Sequence, residues 1–259
     1  MRYEILGSLR VYTGPPARTI GAHKIETLLG VLLVRADQLV LSEQLIAEIW
    51  GHQPPSRALA GIHVYVSQLR KFLGKDDPAR RPIDTGPSGY RLRLGHDELD
   101  ARIFLDLVAA GRAYAKAGFY AEAENSLSTA LALWRGPLLG ETCHGPILGG
   151  FSTWLGETHA ECTELLVEAQ LAQGRHREAV GRLYSLIAEH PLREVFHRQL
   201  MLALYRCGRQ ADALKAYQSV RSLLIGELGI EPSRELKEMH RAILVNDPRL
   251  DLRLAAAAN

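Results

Sequence analysis

No run of eighteen or more apolar residues occurs in this chain, so no membrane span is expected. A basic start followed by a short apolar core is also missing. Met1-Arg2-Tyr3-Glu4 leads straight into strand-like sequence, and no secretory leader is expected. Cysteine is scarce: Cys143, Cys162 and Cys207 lie far apart and never form a CxxC pair. They read as reduced, mostly buried thiols of a cytoplasmic protein. The ten histidines scatter without ligand spacing, so neither a metal nor a cofactor is expected. His159-Ala160-Glu161 imitates the H-x-E of zinc deaminases, but no P-C-x-x-C follows. Phosphate-loop, dinucleotide-binding, zincin and nucleophile-elbow motifs are all absent, and no enzyme is expected. Gly145-Pro146-Ile147-Leu148-Gly149-Gly150 offers an anion cradle in principle; an inter-helix loop is the plainer reading.

What the chain does have is a local positive excess. Its net charge is only +2. Over Arg57–Arg93, eight basic residues (Arg57, Arg70, Lys71, Lys75, Arg80, Arg81, Arg91, Arg93) face three acids, Asp76, Asp77 and Asp84. Such a patch on a balanced protein is the footprint of a phosphate-binding surface. On a helical wheel, Ala58, Ile62, Tyr65, Val66, Leu69, Phe72 and Leu73 fill one arc roughly 120° wide, a core face. The opposite face carries Arg57, Ala60, His63, Val64, Ser67 and Lys71, with Arg70 at its edge. Small, basic and hydroxyl side chains suit the major groove, and an outward Val64 suits a thymine methyl. An ordinary surface helix with a solvated face shows the same pattern. The hairpin that follows favours the DNA-reading helix, with a plain surface hairpin as the alternative. Pro82-Ile83-Asp84-Thr85 leads through Gly86-Pro87-Ser88-Gly89 to Tyr90-Arg91-Leu92-Arg93-Leu94, where Tyr90, Leu92 and Leu94 alternate with Arg91 and Arg93. Helix then basic hairpin is the order of a winged helix-turn-helix.

The preceding sequence completes that unit. Arg2–Tyr12 reads as one or two short strands, and His23–Arg35 has helical spacing. Ser42 is expected to cap a second helix, Glu43–Trp50, that Gly51 ends and Pro54-Pro55 follows. A piece ending near Asp100 is therefore expected to fold and bind DNA weakly by itself.

From Ile103 to about Val245 the spacing is helical almost throughout. Glycine followed five residues later by alanine occurs at Gly118/Ala123, Gly174/Ala179 and Gly208/Ala213. Gly174 and Gly208 are 34 residues apart, the tetratricopeptide period. Glycine permits the tight turn and alanine the close approach of paired helices, which must stack to bury their apolar faces.

The ordered pieces Lys24…Leu28-Leu29…Leu32-Leu33…Ile49-Trp50-Gly51…Pro54-Pro55…Val64-Tyr65-Val66-Ser67…Leu69-Arg70…Leu73-Gly74 resemble the OmpR-type winged helix of the Streptomyces antibiotic regulatory proteins. Gly89-Tyr90-Arg91-Leu92 resembles that family's wing. Leu59, Ala60 and Gly61 stand where the family usually has polar residues. Ala130–Leu138, His190-Pro191-Leu192-Arg193-Glu194 and Glu227-Leu228-Gly229-Ile230-Glu231-Pro232 are similar to its bacterial transcriptional activation domain. The resemblance implies a mainly α protein with a small β component: a winged helix over residues 1–97, tetratricopeptide-like helices over 98–247, and a disordered tail over 248–259. It implies a cytoplasmic activator that binds double-stranded promoter DNA at tandem direct repeats near the −35 element. Protomers would sit side by side and recruit RNA polymerase holoenzyme through its sigma factor and alpha subunit, at a secondary-metabolite gene cluster. Its DNA-binding residues would be Lys24, Arg57, His63, Val64, Ser67, Arg70, Lys71, Arg91 and Arg93. A tetratricopeptide adaptor, a small-molecule sensor and a fragment of a larger regulator with an ATPase domain remain as alternatives.

Overall fold

The computed structural model describes residues 1–74, 82–140 and 145–251. Lys75, Asp76, Asp77, Arg80, Arg81 and Cys143 lie outside the described residues, as do residues 252–259 of the expected tail. Two compact units form. One is Met1–Ala109 with Thr129–Ala160; the other is Ala110–Ser128 with Glu161 onward.

The first unit opens with β1 (Arg2–Glu4) and β2 (Arg10–Tyr12), antiparallel with Tyr3 opposite Val11. Three helices follow: α1 (His23–Val34), α2 (Ser42–Trp50) and α3 (Ala58–Phe72). A second sheet has the order β3-β5-β4, from β3 (Val40–Leu41), β4 (Ile83–Thr85) and β5 (Gly89–Leu92). β6 (Glu98–Leu99) returns to pair parallel with β1. Leucines at helical spacing build the core: Leu28, Leu29, Leu32 and Leu33 of α1 meet solvent at 1% or less. Gly89 admits the pairing of β3 with β5, because a Cβ there would lie 2.0 Å from the Val40 carbonyl oxygen.

Three local expectations change. Ser42 is the first residue of α2, and the cap comes from elsewhere. The Gln44 side chain accepts from the Leu41 N–H (3.0 Å), while Ser42 N–H donates to the Ser88 carbonyl (2.9 Å). The glycine-rich stretch is neither an open cradle nor a loop, since Pro146 begins α6 (Pro146–Ala172). The N–H groups that this helix end leaves unpaired within the helix do hold an anion, the chain's own: the buried Glu48 carboxylate accepts from Ile147 and Leu148 N–H at 2.9 and 2.8 Å. Helix N-termini attract carboxylates for this reason. Finally, residues 1–100 also pack against a segment that follows them. Leu139 seats a methyl against Gly30, so close that a Cβ there would lie 2.5 Å away, and Leu139 N–H donates to the Ile5 carbonyl (3.0 Å).

The secondary-structure elements of the second unit are all helices among its described residues. It takes in the ends of α4 (Asp100–Lys116) and α6, and most of α5 (Tyr120–Ala132). The rest is α7 (His176–Glu189), α8 (Glu194–Arg206), α9 (Gln210–Leu228) and α10 (Arg234–Leu244). The repeated glycine-to-alanine spacing has one physical meaning at all three sites. Gly118, Gly174 and Gly208 take φ of +82°, +82° and +76°. The next residue's N–H then reaches back to close the helix: Phe119 to Tyr114, Arg175 to Gln170, Arg209 to Leu204. Ala123, Ala179 and Ala213 are each fully buried. Within the expected tail, Pro248–Leu250 forms a 3-10 turn with Leu250 buried and its carbonyl bound by Arg206.

Candidate nucleic-acid interface

Helix α3 presents two faces, and the sequence periodicity separates them. Ala58, Ile62, Val66, Leu69 and the following Leu73 are buried. Arg57, Leu59, Ala60, His63, Val64, Ser67, Gln68 and Lys71 are exposed. No acid occurs from Arg57 through Phe72, so nothing on the helix itself repels a phosphate. Arg70 and Lys71 in the last turn also complement the negative end of the helix dipole.

Tyr65 and Phe72, expected in the core, are half-buried. Tyr65 stacks on Trp50 with centroids 6.0 Å apart. Trp50 can lie there because Gly61 lacks a side chain; a Cβ would sit 3.2 Å from the indole. The Lys24 ammonium lies 5.1 Å from the Trp50 ring, so Lys24 reaches the α3 region through that indole. Phe72 packs under the Arg18 guanidinium at 4.3 Å, and Arg18 donates to the Phe72 carbonyl at 2.6 Å. Arg18 was not among the sequence candidates. A lone arginine in a proline-bounded loop carries no local signal, and only the bridge between Val11 and Arg18 brings it to the end of α3.

The wing follows its alternation. Tyr90, Leu92 and Leu94 are buried, while Arg91 and Arg93 are exposed. Arg93 pairs with Asp84 on the neighbouring strand. Burial pushes the Tyr90 hydroxyl pKa up. Asp37 supports the base of the wing in the left-handed region, at φ +67°. Its carboxylate accepts from Leu94 N–H at 2.9 Å and from Arg102 at 2.9 Å. The Leu94 N–H, foremost, holds its carboxyl below the usual carboxylate range.

Arg70 has a role the wheel did not show. Its Nε and Nη2 donate to the Ile83 carbonyl at 3.2 and 2.9 Å, and Nη2 donates to Thr85 Oγ1 at 2.8 Å. Arg70 thereby fixes the wing strand β4 to α3. Leu41, Leu59, His63, Pro87 and Tyr90 line a groove of about 520 Å³ between the start of α3 and the wing turn. His63 meets the Tyr90 ring edge-on at 6.5 Å. Basic helix face, wing and groove thus belong to one unit.

Comparison with known proteins agrees with this geometry. Residues 99–244 match the bacterial transcriptional activator domain family, and residues 22–92 match the family described as transcriptional regulatory protein, C terminal. The chain is 39% identical to regulatory protein AfsR of Streptomyces coelicolor over 100% of its own length and 26% of AfsR. It is 34% identical to transcriptional regulator RedD of Streptomyces coelicolor, over 95% of this chain and 71% of RedD. A solved structure of Mycobacterium tuberculosis EmbR, in complex with a low-affinity phosphopeptide, superposes with a TM-score of 0.90 and 35% identity. That match covers 95% of this chain and 65% of EmbR. The chain thus spans about a quarter of AfsR and about two thirds of EmbR. No helix of the described residues is long and apolar enough to cross a membrane. An OmpR-type winged helix joined to a bacterial transcriptional activator domain places this chain in the Streptomyces antibiotic regulatory protein family of transcriptional regulators.

Proposed function

We propose that this protein is a sequence-specific activator that binds tandem direct repeats near the −35 element of secondary-metabolite promoters and recruits RNA polymerase holoenzyme there. The observation that carries the DNA-binding part is the acid-free exposed face of α3, fixed through Arg70 to a wing with outward Arg91 and Arg93. Arg57, Lys71, Arg91 and Arg93 meet phosphates, with Lys24 beside them. His63, Val64 and Ser67 meet base edges. Arg70 acts chiefly by holding the wing. Membership of the Streptomyces antibiotic regulatory protein family supports the metabolite-cluster target. Contacts of the helical unit with polymerase, through its sigma factor and alpha subunit, supply activation. Footprinting on neighbouring promoters, with and without polymerase, tests this reading. Protection of direct repeats that extends across the −35 element when polymerase is added is expected; no protected region on any of them refutes it.

A further inference from the structure

The opening turns of α3 are unusually poor in hydrogen-bonding side chains for a helix that reads bases. From Ala58 to Val64, His63 alone carries one. Gly61 offers nothing, and the Trp50 indole occupies the space beside it. What projects outward is apolar: Leu59 is 49% exposed and Val64 52%, with the exposed Ala60 between them in sequence and one turn from Val64. Arg57 precedes this patch, Lys71 follows it on the same helix, and Arg91 and Arg93 project from the wing. That cationic surround fits a polyanion and disfavours a basic partner. Within the major groove, a single base presents an apolar group, the C5-methyl of thymine.

We propose that the first two turns of α3 read thymine methyl groups through Leu59, Ala60 and Val64. The inference rests on the DNA-binding reading above and names what that face recognises. Leu59 and Val64 are five residues apart, about 7.5 Å along the helix axis and about 140° around it, so they meet different bases. Ala60 and Val64, about one turn apart, share a face, and Leu59 turns toward the wing-side groove. The methyl-reading positions therefore fall at the end of each site that the start of the helix meets.

The test uses the full chain and duplexes it selects from a random pool, with deoxyuridine replacing each thymidine in turn. Uracil keeps the pairing and removes the methyl alone. Two sensitive positions per site, close together, are expected, each losing about fourfold in affinity, the worth of one buried methyl-sized group. Leu59→Ala should abolish the sensitivity at one position and Val64→Ala at another, while Val64→Ile retains it. Both residues are exposed, so these variants should fold. Undiminished binding with deoxyuridine at every position overturns the proposal while leaving DNA binding intact. So does sensitivity that persists in both alanine variants. A protein that selects no duplex at all overturns the DNA-binding reading, and this inference with it.

Discussion

Single side chains decide how the reading surface is held. Arg70 is the clearest case. Its fork spans two acceptors on β4, a geometry that a lysine ammonium does not reproduce. Arg70→Ala and Arg70→Lys should both lose hydroxyl-radical protection at the wing contact while retaining it under α3; equal loss at both contacts would show a general phosphate role instead. Asp37 supports the wing from its other end. Its carboxyl is held below the ordinary range chiefly by the Leu94 N–H. A depressed folded-state pKa stabilises the fold above the unfolded value, and the stabilisation is lost as pH falls through the folded value. Asp37→Asn keeps a residue that tolerates positive φ and removes the charge. It should lower the urea midpoint at neutral pH, with the gap from the parent closing on acidification; a gap independent of pH would contradict the electrostatic account. Cys162 shows the limit of the same reasoning. Burial, with Glu161 adding to it, pushes its thiol up to about 12, which leaves an unreactive core residue.

Elements were legible where one period or one turn chemistry governs them. The α3 wheel separated its faces because exposure follows a 3.6-residue repeat, and the wing alternation held because strand side chains switch faces at each step. Glycine five residues before alanine read correctly because it encodes a positive φ and a close helix approach. The start of α6 did not read correctly, since Gly145, Gly149 and Gly150 suggest a loop. The carboxylate that caps it, Glu48, lies 99 and 100 residues before its two partners. On its own helix Glu48 looks like any solvated acid, and no local pattern reveals the pairing. Arg18 and the fork of Arg70 escaped notice for the same reason: their partners are distant in sequence or backbone carbonyls. The consequence is measurable. A piece ending at Asp100 leaves Glu48 without the α6 end and uncovers the ground where Leu139 sits. Burying one such leucine is worth ~1.5–3 kcal/mol. A piece ending at Ala160 should therefore melt at clearly higher urea than one ending at Asp100; equal midpoints would support the shorter boundary.

On the scale of the whole molecule, the proposed function arrays protomers side by side on one duplex. Direct repeats present each site in the same orientation, so adjacent copies meet through two different surfaces and need no two-fold axis. Reading helices then enter grooves on one face of the DNA, at spacings near one turn, ~10–10.5 base pairs. Inserting about half a turn (~5 base pairs) between repeats should abolish cooperative binding and activation, and a full turn should restore part of the binding. Indifference to the insertion would reject the side-by-side arrangement. Beneath that arrangement lies the central claim, that the α3 face and wing neutralise DNA phosphates. Its most direct test is operator affinity measured against salt. With ~4–6 phosphate contacts per protomer, two bound protomers should give a log–log slope steeper than about −6, and Lys71→Ala or Arg91→Ala should each flatten it by about one unit. A slope near zero between low and physiological salt would contradict the account.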